Sequence, residues 1–100
     1  MNDVLYLPVS IVTKGELNQV IQKKEYTNRI FCEKGSATRT EFFSAGQNGL
    51  KPQYMFKVYQ IDYNKEDSLM YEDNVYKIYR TYETKDERIE LYCEVKSGGN

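Results

Sequence analysis

A chain of 100 residues with a formal net charge of −1 makes a single domain, and it is too weakly charged for a protein that coats DNA by itself. It has no His and two isolated Cys, and it lacks phosphate-cradling, dinucleotide and nucleophile-elbow motifs, so neither an enzyme nor a bound metal or cofactor is expected. No apolar run approaches the ~18–20 residues of a membrane span, and Met1-Asn2-Asp3 begins no signal peptide, so the expected setting is the cytoplasm, with no membrane partner.

Residues 5–12 are rich in β-formers, and Pro8 should confine them to a sheet edge or a strand start. Thr13-Lys14-Gly15 reads as a turn. Residues 16–25 are ambiguous: Leu17, Val20 and Ile21 have helical spacing, while Gln, Asn and Lys dominate the remainder. An extended hairpin arm is the preferred reading, followed by a short strand over residues 29–33.

Residues 34–53 fit neither a strand nor a long helix, and connections beyond ~12–15 residues tend to be functional or disordered. Within them Thr38-Arg39-Thr40-Glu41 matches a capping box, and Gly46 suits a C-terminal cap. The enclosed helix, residues 39–45, would be about two turns and would need Phe42 or Phe43 to dock on something, because helices below ~12–15 residues are marginal alone. Asn48-Gly49 should turn the chain, and Pro52 should fix its re-entry into the sheet. Such a segment is either a plain crossover that plugs a barrel end or a piece that orders when subunits meet.

The rest reads as β-sheet. Residues 54–63 form a long aromatic strand in which Tyr59, Ile61 and Tyr63 should be cofacial with Tyr54 opposite. Residues 64–67 turn. Residues 68–71 and 75–82 form a hairpin through Glu72-Asp73-Asn74. Residues 87–96 alternate, with Ile89, Leu91, Cys93 and Val95 on one face and Arg88, Glu90, Glu94 and Lys96 on the other, the pattern of a half-buried antiparallel strand. Residues 97–100 read as a flexible tail. Six or so short strands joined by tight turns predict a mainly β fold: one small antiparallel barrel over residues 1–100, with a long inserted loop that carries a short helix.

Eight of the ten Tyr lie from Tyr54 onward, where they either fill the shell of the barrel or serve an interface. Cys32 and Cys93 read as buried free thiols. Residues 34–53 hold Lys34, Arg39 and Lys51 against Glu41, a net +2. Residues 62–74 hold five carboxylates against Lys65, a net −4. Opposite patches suit head-to-tail stacking or ring assembly.

From Arg29 onward the chain resembles the head-closure (head–tail joining, or stopper) proteins of siphophages and prophages. The resemblance is carried by Glu41-Phe42-Phe43-Ser44-Ala45-Gly46, Gly49-Leu50-Lys51-Pro52, Asp62-Tyr63 and Tyr71 before a turn. Tyr76-Lys77-Ile78-Tyr79-Arg80-Thr81-Tyr82 and Ile89-Glu90-Leu91-Tyr92-Cys93 follow in the same order. Tyr26 and Phe31 are the two candidates for an aromatic that relatives carry near the second strand. The resemblance implies a small antiparallel barrel with a long excursion between early strands, built into the virion at the head–tail connector. Subunits would form a ring, typically of twelve, that meets the portal and adaptor on one side and the tail-end protein on the other. The isolated subunit could be monomeric until its neighbours template it. The excursion over residues 34–53 would face the channel, with Lys34, Arg39, Glu41, Phe42, Phe43 and Lys51 near packaged double-stranded DNA, which they would touch without reading sequence. Tyr59, Asp62, Tyr63, Tyr76 and Arg80 are the candidate contacts to neighbouring subunits or partners. The alternatives are a tail-completion or other connector component, or a monomeric nucleic-acid-binding barrel that stacks bases on Tyr54, Tyr59 and Tyr63.

Overall fold

The computed structural model describes residues 3–15, 17, 20–36, 46–47, 49 and 51–95. The elements are β1 (Asp3–Lys14), β2 (Val20–Ser36), β3 (Pro52–Tyr59), a 3₁₀ turn (Gln60–Asp62), β4 (Ser68–Tyr71), β5 (Asn74–Glu83) and β6 (Arg88–Val95). All neighbours are antiparallel, and the order β1-β2-β3-β6-β5-β4 closes into a barrel through the β1–β4 pair. The predicted small antiparallel barrel is the fold observed.

Alternation places the core. Leu5 and Leu7 of β1, Ile30 and Cys32 of β2, Phe56 and Val58 of β3, and Leu69 and Tyr71 of β4 point inward at every second position. Tyr76 and Ile78 of β5 and Ile89, Leu91 and Cys93 of β6 complete the interior. Both cysteines are buried and free, as their apolar neighbours indicate. Closing the sheet removes most of its edges, the usual liability of a small β protein.

The barrel has two unlike ends. At one, which we call the loop end, β2 leaves toward residues 37–51 and a two-residue turn at Glu72-Asp73 joins β4 to β5. There Tyr54, Phe56, Tyr71 and Tyr76 pack edge-on, with ring centroids 5.0–6.4 Å apart. At the other, the 3₁₀ turn, residues 63–67 and the β5–β6 turn close the barrel, and β1 and β2 run on past it as a two-stranded arm.

The arm starts at a bulge. Leu7 pairs with Asn28 but Pro8 with Tyr26, so Thr27 is an extra residue in β2. Pro8 therefore lies inside a long strand and not at its start, but on a sheet edge, the other position expected of it, and the register shift accommodates its missing N–H. Beyond the bulge β1 pairs only with β2, from Val9 with Glu25 to Lys14 with Val20. The ambiguous residues 20–25 are thus strand, and β2 is a single run from Val20 to Ser36, far longer than the expected residues 29–33. With the arm, the Cα radius of gyration is 15.1 Å, above the ~13 Å typical of a compact domain of this length.

Candidate interaction surfaces

The connection nominated from sequence is shorter than expected. Lys34, Gly35 and Ser36 belong to β2, where they pair with Phe56, Met55 and Tyr54, and Pro52 and Gln53 belong to β3. Residues 37–51 remain as the β2–β3 connection. Arg39, Glu41, Phe42, Phe43 and the capped helix over residues 39–45 lie outside the described residues, as do Lys96 and the tail. Lys51 is described and exposed. Gly49 has φ of +79°, and its N–H bonds the Gly46 carbonyl at 3.0 Å, so the chain turns at Gly49. The left-handed residue is Gly49, not Gly46.

Lys34 does not hang in a loop. Period two places it above Cys32 and Ile30, at the mouth of the barrel. Its ammonium stands 4.9 Å from the Tyr54 ring centroid and 5.4 Å from that of Tyr71. Cation–π contacts of this kind contribute ~0.5–1 kcal/mol at an exposed site. Lys34 thereby covers the aromatic plug of the loop end while its charge remains at the surface, immediately before the chain departs into residues 37–51.

The five residues expected at an interface are scattered. Tyr76 is buried in the core, where desolvation raises its hydroxyl pKa above 10.0, so it is a packing residue and not a contact. Tyr63 is half-buried against the core, and its hydroxyl donates to the Glu66 carbonyl at 2.5 Å; burial first, and then the Glu66 carboxylate, push its pKa up to about 12. Arg80 lies on the outer wall of β5, its guanidinium 4.0 Å above the Tyr92 ring. Tyr92 in turn donates to Glu90 at 2.6 Å. Only Tyr59 and Asp62 come together, at opposite ends of the 3₁₀ turn.

That turn overturns the expected strand over residues 54–63. The Gln60 side-chain amide donates to the Arg88 carbonyl at 3.0 Å and the Thr84 carbonyl at 3.4 Å, and the Gln60 backbone N–H donates to the Glu87 carbonyl at 3.0 Å. The chain is pinned to the β5–β6 turn and rotates out of extended geometry. Tyr59 stays exposed beneath Arg88, Ile61 is left 89% exposed, and Tyr63 turns inward. The three are not cofacial, and Tyr54 is inside the barrel. No stacking platform for bases is built from them.

The acidic stretch is divided as well. Asp62, Glu66 and Asp67 sit at the arm end and Glu72 and Asp73 at the loop end, so residues 62–74 do not form one patch. Asp67 receives Lys24 of the arm at 3.3 Å, and Tyr26 Oη lies 2.9 Å from Ser68 Oγ, which ties the root of the arm to the start of β4.

Sequence reasoning nominated no residue of the arm. Val9, Val12, Val20 and Ile21 are 40–66% exposed there, and Leu17 at its tip is 81% exposed. The usable signal was the clustering of β-branched residues around lysines on both strands. An open cleft of about 470 Å³, lined by Tyr59, Gln60, Ile61 and Glu87, opens at the same end. Among the described residues no group of three or more Cys, Asp or Glu is placed to hold a metal.

Fold and surfaces together define a class: a six-stranded closed antiparallel barrel with a long β2–β3 connection at one end and a two-stranded arm at the other. Comparison with protein-family models, with curated proteins and with solved structures finds no match to this chain.

Proposed function

We propose that this chain is a structural component of a phage or prophage head–tail connector. It would form a ring beneath the portal and adaptor that closes the DNA channel and docks the tail. The observation that carries this reading is where the long connection falls. The head-closure resemblance calls for a small antiparallel barrel interrupted once, between early strands, and residues 37–51 interrupt a closed barrel between β2 and β3 while every other turn within the barrel is short.

On this reading the loop end faces the channel. Lys34 stands at the root of the connection, and Arg39 and Lys51 are the cations within it. So few charges suit a channel through which DNA must slide, because each phosphate neutralised adds to a salt-dependent grip. Lys34 is engaged with Tyr54 and Tyr71, so the contact with passing phosphate falls mainly to Arg39 and Lys51. The role is mechanical and not catalytic, and it belongs in the virion after synthesis in the bacterial cytoplasm.

The test is a joining assay. DNA-filled heads made without this chain are mixed with tails, with and without the purified protein. Joined, infectious particles should form only when the protein is added. Equal joining in its absence would refute the proposal. An Arg39→Glu, Lys51→Glu variant should join tails yet lose DNA from the particle more readily or eject it abnormally.

A further inference from the structure

We propose that the β1–β2 arm is the surface by which one copy of this chain holds a second, through pairing of the open β1 edge of one arm with the open β2 edge of the next. Both edges are present in every copy. On the β4 side of β1 the register pairs only Tyr6 with Met70, so the strand beyond Pro8 offers its N–H and C=O groups outward. On the β3 side of β2 pairing is confined to Glu33–Ser36, so β2 is open from Val20 past the bulge. An isolated two-stranded ribbon is marginally stable in water, and an open edge is a template for another strand.

Among the described residues nothing covers the outer arm on either face. Register puts Val9, Ile11 and Ile21 on one side and Val12 and Val20 on the other. Adding a strand at each edge would satisfy the open backbone groups and give these side chains apolar cross-strand neighbours.

Charge bears on which edges meet. Antiparallel pairing of β2 with its own copy about Lys23 or Glu25 would set like charges directly opposite, and about Lys24 it would set Lys24 against itself with Lys23 opposite Glu25 on either side. The outer stretch of β1, Ile11-Val12-Thr13, carries no charge and accepts the lysine-bearing β2 edge without conflict. The arm holds Lys14, Lys23 and Lys24 against Glu16 and Glu25, whereas residues 60–67 and 83–87 at the same end of the barrel hold six carboxylates against two lysines. Lys24 already meets Asp67 within the chain. Lys23 meets Glu25 within the arm at 3.9 Å, so the cation offered to a neighbour is Lys14, exposed near the tip. Self-association of this kind would hold whatever the role of the barrel, so its failure would leave the joining assay unaffected.

Sedimentation velocity of the full chain from micromolar to millimolar concentration provides the test. Concentration-dependent association that weakens with added salt is expected. Val12→Lys with Val20→Lys, and separately Ile21→Lys, should each weaken it at least about tenfold, equivalent to ~1.4 kcal/mol. Ile61→Lys, an equally surface-exposed apolar site off the arm, should leave it unchanged. Thermal unfolding checks that each variant keeps its barrel, and Lys14→Glu, which leaves every apolar side chain in place, provides a second probe of the same contact. A monomer at every concentration, or association that survives the arm variants and is lost with Ile61→Lys, would overturn the proposal.

Discussion

Among the described residues, four outside glycine hold positive φ: Lys65 (64°), Glu72 (50°), Asp73 (65°) and Glu87 (64°). Glu72 and Asp73 are the two central residues of the β4–β5 hairpin, where a type I′ turn requires positive φ at both and favours Asn-Gly. Glu72 is poorly suited to that region and Asp73 less suited than Gly, so Glu72→Asn with Asp73→Gly should stabilise the barrel by about 1 kcal/mol, read as a higher urea midpoint with an unchanged slope. The buried ionisable groups make a second prediction. Burial pushes the Cys32 and Cys93 thiols from 9.0 up to about 12, and the Tyr63 and Tyr71 phenols from 10.0 up to about 12, with the Asp3 carboxylate adding to the effect on Cys32 and Tyr71. Each folded-state value lies above the unfolded one, so the folded chain keeps protons that the unfolded chain releases. The stabilisation is complete below about pH 9 and is lost as pH rises from there toward 12. Urea unfolding should therefore give a flat midpoint through neutral pH and a steep decline above pH 9, and Cys93→Ser should flatten the early part of that decline.

At the scale of elements, Gln60 decides where β3 ends. Its side-chain amide serves two carbonyls of the β5–β6 turn; Gln60→Ala would remove that donor from both, although the Arg88 carbonyl would keep the Thr84 N–H and hydroxyl. A loss of about 0.5–1.5 kcal/mol is expected, along with faster amide exchange across residues 60–67 and 84–88. No propensity could have announced this break, because the aromatic alternation of residues 54–63 reads as one strand and the contact that overrides it is 24–28 residues away. β6 was legible for the opposite reason. One face of it meets the core, so Ile89, Leu91 and Cys93 had to alternate with Arg88, Glu90 and Glu94. β2 was legible by pattern only where it lines the barrel, and its outer part only as the preferred extended hairpin arm over residues 16–25. In the arm neither face is buried, so Gln22-Lys23-Lys24-Glu25 shows no period of two, and Leu17, Val20 and Ile21 happen to fall at helical spacing. Pro8 signalled the sheet edge correctly, while the bulge beside it has no signature in sequence that separates it from a strand start.

For the whole molecule, the barrel was readable because closure demands six short alternating runs, and composition carries that demand. The candidate site was only partly readable. Surface tyrosines and barrel tyrosines have the same sequence signature, which is why Tyr76 was expected outside and is found inside, and why Lys34 was assigned to a loop that starts three residues later. What the assembled molecule offers is polarity: a tyrosine-plugged end from which residues 37–51 depart, and an acidic end from which an uncovered arm extends. A subunit with unlike ends and a lateral arm is suited to a ring that must present different faces to a head and a tail. Electron cryomicroscopy of the virion in which the proposed function would place this chain tests that proposal directly. The account predicts a ring of six-stranded barrels at the head–tail junction, residues 37–51 turned toward the channel and each β1–β2 arm laid on the adjacent copy. A junction resolved without this barrel, or the barrel found elsewhere in the particle, would contradict it.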